Sequence, residues 1–364
     1  MLKISIDSMN KKLMMFRDLS PQIHDILAFA TEENCSDLYI RVGEEPYLNR
    51  YGKIYKMPTL PVDEAIWKDF TEYAITSENN AKYVRQKMLD ISYEIPVPED
   101  SRYFNKHEVF RYRVSIGFSQ ENSVATFRMI TPDLPSFELI NFPKEVEKKL
   151  DQTFQNKNGI VMFCGPTGSG KTTSMAACLN DFKRKDKPLD NSVIITLEDP
   201  IEYVHRGTSS VRLIQKELYK DFISFPLGIK QALREHPTHI VVGEIRDKEG
   251  ISTAVEASRT GHKVITSFHT EDVAGTVSRM YNYLSDSHED IMYDLISNLD
   301  FILSQRLESS DDSFILRTQY MMFTDEIKRF LQKTIHDGRN ISIAINSLFE
   351  RQELVDQGVL RDWE

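Results

Sequence analysis

The sequence predicts an α/β protein of two domains, with a smaller α+β domain first and a larger domain built on a parallel sheet second. Residues 110–118 alternate between apolar and polar side chains, and this period of two indicates a strand with one buried face. From residue 160 onward, short apolar runs are separated by helical stretches, which is typical of buried parallel strands covered by helices on both faces. A proline-containing stretch of little periodicity separates the two patterns.

The N-terminal domain is predicted to span residues 1–135. Apolar residues at helical spacing and short β-rich segments predict helices over 21–34 and 63–76 and strands over 36–42 and 50–57. Because Gly43 and Pro46 lie between the two short strands, we expect a hairpin or two adjacent strands there.

A second hairpin is predicted to close this domain. Residues 120–122 form a turn between the alternating strand and a further strand at 124–130. The hairpin carries three arginines, two of them on one face: Arg111, Arg113 and Arg128.

The domain boundary is placed in the proline-containing stretch. Proline fixes φ and removes an amide donor, so an extended linker is predicted over 136–146, within the stretch 131–146. The second domain then spans 147–364, with predicted strands at 160–164, 193–197, 240–242 and 264–268. From about residue 290 the pattern is mostly helical, with a candidate strand near 314–321.

Composition restricts the classes of partner. The 364 residues include 55 acidic and 45 basic side chains, and a net charge of −10 disfavours a nucleic acid partner. The basic run 183–185 is better interpreted as a solvated helix end. No apolar stretch is long enough to span a bilayer and the N-terminus lacks a secretory pattern, so we expect a cytoplasmic protein held at a membrane only through a partner. Free buried thiols are expected for the three widely spaced cysteines, Cys35, Cys164 and Cys178.

A glycine-rich segment follows the first apolar run of the second domain. It fits G-x-x-x-x-G-K-[ST], and a helix is predicted directly after it. Its backbone N–H groups can form a concave cradle for phosphate oxygens at the helix N-terminus. Lys171 is expected to reach the β- and γ-phosphates of ATP, and the Thr172 hydroxyl to hold Mg²⁺. The predicted nucleotide contacts are Gly165, Pro166, Thr167, Gly168, Ser169, Gly170, Lys171, Thr172 and Thr173.

Acidic residues follow two of the other apolar runs. Glu198 and Asp199 come just beyond 193–197, and Glu244 follows 240–242. The carboxyl ends of parallel strands form the ligand sites of α/β sheets, so both positions can face the phosphates. Phosphoryl transfer needs carboxylates to hold the metal and to orient the attacking water. We favour Glu198 for activating water and Glu244 for coordinating the metal, and the residues alone leave open which is the general base.

Four motifs occur in a fixed order between Gly165 and Thr270: GPTGSGKT, LEDPIEY, ALREHPTHIVVGEIRD and ASRTGHKVITSFHT. As a set they resemble the Walker A, Asp box, Walker B and His box of the secretion ATPase superfamily (type II/IV secretion, GspE-like), on its PilT/DotB-like branch. The segments SDLYIRVGEEPYLNRYGKIYKM and FRYRVSIGFSQENSVATFRMI resemble the PAS-like first domain of that branch. The resemblance implies a RecA-like P-loop NTPase domain after a PAS-like domain, with a helical C-terminal tail.

The resemblance also implies roles for residues outside the loop. His262 and His269 match the two His-box positions, which in the family lie near the γ-phosphate. Arg113 and Arg128, with Arg111 as a further candidate, match arginines that reach the nucleotide of the next subunit; a solvated strand face is the alternative. The family is hexameric, and hydrolysis of ATP to ADP and phosphate is expected to require Mg²⁺.

Two motor roles fit the resemblance, each acting on an inner-membrane platform or secretion-channel protein without direct membrane insertion. Retraction of a type IV pilus is slightly favoured. A DotB-like role in type IVB secretion or conjugation is the alternative, since ISTAVEASRTGH and HTEDVAGTVSRM resemble DotB relatives. Residues 325–331 differ from the AIRNLIRE-like segment of retraction members. An ATP-dependent assembly scaffold is the alternative of another class, and a RecA-like nucleic acid motor is disfavoured by the acidic balance.

Overall fold

The computed structural model describes residues 9–75, 83, 85–130, 132–284, 289–310, 313–350 and 359–361. The chain divides into two compact units, Met1–Asp133 and Leu134–Glu364. The first unit therefore ends just before the predicted boundary at residue 135.

The first unit is built on an antiparallel sheet of strand order β3-β2-β1-β6-β5-β4. Its strands are β1 (Asp37–Arg41), β2 (Tyr47–Arg50), β3 (Lys53–Lys56), β4 (Leu89–Pro96), β5 (Val109–Ser119) and β6 (Asn122–Ile130). The described helices are a short 3-10 helix (Met14–Phe16), α1 (Ile23–Glu32) and α2 (Glu64–Ala74). Strands and helices together give the α+β domain that the sequence predicts.

The helices of this unit cover one face of its sheet. The apolar positions of β5, such as Tyr112 and Val114, are buried with Leu27 of α1 and Phe70 of α2 in one core. Successive strand residues point to opposite faces, so the arginines of the hairpin lie on the other, polar face. Arg113 on β5 is accordingly exposed.

Two local predictions need correction. The segment 50–57 is not one strand, because Tyr51 and Gly52 both have positive φ (51° and 76°) and form the turn between β2 and β3. Two residues in the left-handed region make the tight turn that joins antiparallel strands. Strand β4 was not predicted. The helix predicted over 63–76 is α2, which begins after the Asp63 cap; residue 76 is outside the described residues.

Residues 136–146 are not the extended linker that the sequence predicts. They contain α3 (Phe137–Ile140) and the start of α4 (Lys144–Phe154). Pro143 is the N-cap residue of α4, where a missing amide hydrogen costs no helical hydrogen bond. Phe142 and Val146 are buried in the core of the second unit. The prolines of this stretch therefore precede helices, and residue 131 is outside the described residues.

The second unit is built on a sheet of strand order β14-β13-β12-β7-β11-β10-β8-β9. Its strands are β7 (Gly159–Cys164), β8 (Val193–Glu198), β9 (Arg212–Glu217), β10 (His239–Val242), β11 (Lys263–Phe268), β12 (Leu299–Ser310), β13 (Ser313–Met322) and β14 (Val359–Arg361). The pairings from β12 through β9 are parallel, and β13 and β14 add antiparallel pairs at one side.

Helices cover both faces of this sheet, as the sequence predicts. Beyond α3 and α4 they are α5 (Lys171–Phe182), α6 (Phe225–Leu233), α7 (Lys248–Arg259), α8 (Val273–Leu284), α9 (Glu289–Asn298), α10 (Asp325–His336) and α11 (Ile341–Glu350). Strand β7 shows the two layers: Ile160 and Met162 belong to one core, and Val161 and Phe163 to the other. Burial on both faces explains why the strand is apolar throughout.

The C-terminal part contains more strand than the sequence predicts. The candidate strand near 314–321 is β13, but β12 lies in a stretch predicted to be mostly helical. Its serine, glutamine and arginine residues interrupt the apolar run from which a buried strand is recognised. Of the tail after residue 350, only 359–361 are described. Among the described residues, no helix is long and apolar enough to cross a bilayer.

Candidate nucleotide site

The phosphate loop lies between β7 and α5, at the carboxyl edge of the parallel strands. Gly165 and Gly170 have positive φ (150° and 84°), a region that side chains disfavour. A Cβ at Gly165 would also lie 2.2 Å from the backbone oxygen of Gln305. The Gln305 side chain donates to the backbone oxygen of Ser169 at 2.7 Å, so a hydrogen bond from β12 helps to hold the loop. Because the loop leads directly into α5, the N-terminus of this helix faces the loop, as a phosphate cradle requires.

Lys171 begins α5 and its side chain folds back under the loop. Its Nζ donates to the backbone oxygens of Gly165 and Pro166, each at 2.9 Å, and lies 3.4 Å from His269 Nδ1. The residue is buried, and burial lowers the pKa of its ammonium. The Lys171 ammonium thus donates to two carbonyls and faces an imidazole nitrogen, and phosphate oxygens would take the place of these partners when a nucleotide binds.

Glu244 and His269 meet beside Lys171. Glu244 follows β10 and His269 follows the neighbouring strand β11, and the His269 Nε2 atom lies 3.1 Å from a Glu244 oxygen. Arg246 donates to the other Glu244 oxygen at 2.8 Å. Burial, and then the charge of Lys171, lower the pKa of His269, which favours the neutral imidazole. Lysine can only donate and a carboxylate can only accept, so the proton of neutral His269 is assigned to Nε2.

Glu198 ends β8, at the same edge of the sheet, and is half-buried. Its Oε1 atom accepts hydrogen bonds from Thr196 Oγ1 at 2.6 Å and from Gln215 Nε2 at 2.9 Å. Burial raises the pKa of this carboxyl to about 7, against the opposing effect of the two donors, and the charge of Glu202 raises it further. A carboxyl with a pKa near neutrality has the proton affinity that a general base needs.

Thr172 and Glu244 are the residues that we predicted as magnesium ligands. A hydroxyl and a carboxylate are oxygen donors of the kind Mg²⁺ takes. In the described part of the chain, no group of three or more histidine, cysteine or acidic side chains could hold a metal. One hydroxyl and one carboxylate fit an ion that would be held by one or two protein oxygens together with substrate phosphates and water, which is the usual arrangement for Mg²⁺.

The structure separates the two predicted histidines. His262 precedes β11 and His269 follows it, and Lys263 is paired with Gly159 at the opposite end of β7 from the phosphate loop. A strand of six residues spans roughly 20 Å. His262 instead lies near the end of α7, with its Nδ1 atom 3.2 Å from the backbone oxygen of Ala257. Within this subunit it does not reach the phosphate loop, contrary to the role predicted for it.

The predicted arginines belong to the first unit. Arg113 and Arg128 are directly opposite each other on β5 and β6. Arg128 donates to Asp37 at 3.1 Å and Arg111 donates to Glu94 at 2.8 Å. Arg113 and Arg128 are exposed and Arg111 is half-buried, so the hairpin presents a cationic surface.

Several contacts of the site were not predicted from the sequence. Gln215 holds Glu198 and Gln305 holds Ser169, and Tyr203 OH lies 3.1 Å from Thr173 Oγ1, which ties the loop after β8 to helix α5. Arg279 donates to the backbone oxygen of His269 at 2.7 Å. Both glutamines are next to other polar residues in the sequence, so no local pattern indicated their contacts.

A parallel sheet with a glycine-rich phosphate loop, a loop lysine and carboxylates at neighbouring strand ends defines the P-loop nucleotide-binding ATPases. A family model described as "Type II/IV secretion system protein" matches residues 16–334. The chain belongs to this family of secretion ATPases.

Individual relatives include both PilT and DotB proteins. The chain is 31% identical over 287 residues to the Pseudomonas aeruginosa protein described as the type IV pilus retraction ATPase PilT, covering 78% of this chain and 77% of that protein. It resembles the structure of the Legionella pneumophila ATPase DotB with a TM-score of 0.75 at 25% identity, covering 95% of this chain and 97% of that one. The structure of the pilus retraction motor PilT with bound ADP gives a TM-score of 0.74 at 26% identity, with coverage of 93% and 94%.

Proposed function

We propose that this chain is the subunit of a homohexameric motor that hydrolyses ATP and drives type IV pilus retraction. The observation that carries the proposal is the convergence of Lys171, His269, Glu244 and Glu198 at one edge of the parallel sheet. The sequence identity to PilT of Pseudomonas aeruginosa, over most of both chains, supports the retraction role.

The site residues divide the reaction between them. Lys171 binds the β- and γ-phosphates, exchanging its backbone-oxygen partners for phosphate oxygens. Thr172 and Glu244 hold Mg²⁺, which when bound neutralises charge on the phosphates. Glu198 orients and deprotonates the attacking water as general base. Arg113 and Arg128 of a neighbouring subunit stabilise the charge of the transition state, so that each site is completed by the next subunit.

The motor acts on the cytoplasmic face of the inner membrane, through a platform or channel protein. Its net charge of −10 argues against nucleic acid as the substrate moved. ATP binding at the second unit changes the subunit's conformation, and the ring passes that motion to its membrane partner.

A DotB-like role in type IVB secretion or conjugation is a second candidate. The likeness to DotB of Legionella pneumophila extends over nearly the whole of both chains. The departure of residues 325–331 from the AIRNLIRE-like segment also favours this role over retraction. Deletion of the gene in its host separates the two: loss of twitching motility supports retraction, whereas loss of conjugation or effector delivery supports the second role.

Turnover as a function of protein concentration tests the motor itself. Steady-state ATPase activity with Mg²⁺ is expected to rise more than linearly with concentration and to vanish in Lys171→Ala, because sites completed between subunits need a ring. Linear activity from protein that sizing shows to be monomeric would overturn the ring. Activity absent from every assembled state, with nucleotide binding retained, would favour the assembly scaffold.

A further inference from the structure

Glu198 is held by a side chain from the neighbouring strand. Thr196 and Gln215 are paired in the parallel register of β8 and β9, and Glu198 lies two residues beyond Thr196. Residues two apart on a strand share a face, so the three side chains point to the same side of the sheet. Thr196 and Gln215 both donate to Glu198 Oε1. Strand β9 therefore takes part in setting the direction of this carboxylate.

The Gln215 amide uses all of its hydrogen-bonding groups. Its Nε2 atom donates to Tyr203 O at 2.9 Å as well as to Glu198, and its Oε1 atom accepts from His205 N at 2.7 Å. Only one orientation of the amide places its two N–H groups at two acceptors and its oxygen at a donor, so that orientation is assigned. One side chain thus holds both the carboxylate and two points of the loop after β8.

This loop is also fixed to the nucleotide site. Tyr203, whose backbone oxygen Gln215 holds, contacts Thr173 in the first turn of α5 through its hydroxyl group. The contacts run without a gap from the helix that follows the phosphate loop, through Tyr203 and Gln215, to Glu198. A displaced loop would therefore alter the position of the carboxylate relative to the phosphates.

We propose that Gln215 is a positioning residue that sets the orientation of the Glu198 carboxylate and ties it to the loop of residues 199–205. This role rests on the proposed function of Glu198 as general base. Gln215 also donates to the ionised carboxylate, so it opposes the burial and the Glu202 charge that favour the protonated form. Loss of Gln215 is expected to misdirect the base and to shift its titration to higher pH.

Two substitutions separate the two functions of the amide. Gln215→Leu removes the bonds to Glu198, Tyr203 and His205 while keeping much of the volume. Gln215→Glu keeps an acceptor for His205 N–H but, when ionised, cannot donate to Glu198 and places a like charge beside it. Arg212→Leu is the matched control, because Arg212 lies on the same strand, is exposed and points to the opposite face.

The experiment measures kcat, KM for ATP and the pH profile of kcat for the assembled protein, with Glu198→Gln alongside. Both Gln215 variants are expected to lose roughly tenfold or more in kcat, with KM changed less than about threefold. The rising limb of their pH profiles is expected to move up by about one pH unit. Arg212→Leu is expected to match the wild type.

Hydrogen exchange of the peptide containing residues 199–205 gives a readout that does not need turnover. Faster exchange at His205 is expected in Gln215→Leu but not in Gln215→Glu, where an acceptor remains. Wild-type kcat and pH profile in both variants, with Glu198→Gln inactive, would overturn the positioning role alone. Full activity of Glu198→Gln, or an inactive wild-type ring, would overturn the proposed function and with it this role.

Discussion

His269 Nε2 lies 3.1 Å from the Glu244 carboxylate, while His269 Nδ1 faces the Lys171 ammonium at 3.4 Å. One imidazole thus connects the loop lysine to the proposed metal ligand. The two strands that carry Glu244 and His269 are adjacent in the sheet, and each residue comes directly after or close to the end of its strand. When phosphate oxygens replace the present partners of Lys171, the contact between Lys171 and His269 changes, and His269 still contacts Glu244 through its other nitrogen.

The two histidines of the His box should differ in their effect on activity. His269→Asn is expected to lower kcat by roughly ten- to a hundredfold, because it removes a partner of both Lys171 and Glu244. His262→Asn, at the other end of β11, is expected to stay within about twofold of the wild type, since its contacts are confined to the end of α7. Steady-state ATPase assays measure both. An equal loss in the two variants would contradict the assignment made from the strand register.

The pH dependence of turnover should follow the ionisation of Glu198. Its pKa is raised to about 7, and only the ionised form can accept a proton, so kcat is expected to increase with pH up to about 7 and to level off above it. Glu198→Gln should abolish this limb together with most of the activity. A pH-independent kcat between pH 5.5 and about 8 would show that another group is the base.

Arg113 and Arg128 differ in whether their side chains have a partner. The Arg128 side chain is held by Asp37, whereas the Arg113 side chain has no ion pair or hydrogen bond among the described residues. Arg113→Ala is expected to lower kcat by about a thousandfold with little loss of nucleotide binding, as for a finger that acts on charge in the transition state.

Mixing tests whether Arg113 acts between subunits. Arg113→Ala subunits keep an intact phosphate loop, and Lys171→Ala subunits keep an intact arginine. Random mixed rings of the two inactive variants should recover about a quarter of the wild-type activity per site, since heterologous ring contacts bring the two intact halves together. Mixtures as inactive as their components would contradict the action of Arg113 on the site of a neighbouring subunit.

The stability of the second unit should depend on the ion pair between Lys263 and Asp300. Lys263 is fully buried, and its Nζ donates to Asp300 at 2.5 Å and to Asn158 O at 3.0 Å. Asp300→Asn leaves a buried ammonium without its carboxylate and is expected to lower the free energy of unfolding by about 3–5 kcal/mol. Urea denaturation measures the change.

Lys263→Met is the control for that substitution. It leaves the Asp300 carboxylate, which is less buried than Lys263 and keeps Lys328 as a partner at 3.7 Å, so its cost should be smaller than that of Asp300→Asn. Equal losses of unfolding free energy in the two variants would indicate that packing at this position matters more than charge.

The local motifs were predictable because their chemistry is continuous in sequence. The phosphate loop needs glycines, a lysine and a hydroxyl at a fixed spacing between a strand and a helix, and all of them lie within Gly165–Thr172. The positions of Glu198 and Glu244 also followed from the sequence, since parallel strands end at a common edge. The continuous apolar runs of the second unit predicted parallel strands buried on both faces, and the alternation in β5 predicted a strand with one buried face. Both patterns are visible in the sequence because side-chain polarity follows the repeat of the strand.

Contacts between distant segments were decided only by the tertiary structure. The contacts of His269 with Lys171 and Glu244 depend on which strands lie next to β11, and the pairing of β11 with β7 and β10 shows this. The support of Ser169 by Gln305 and of Glu198 by Gln215 joins strands that are far apart in the chain or separated by a long loop. The sequence by itself therefore determined the class of fold and the reactive groups. The pairing of strands decided which groups meet, because hydrogen-bond partners are chosen by distance in space and not by spacing along the chain.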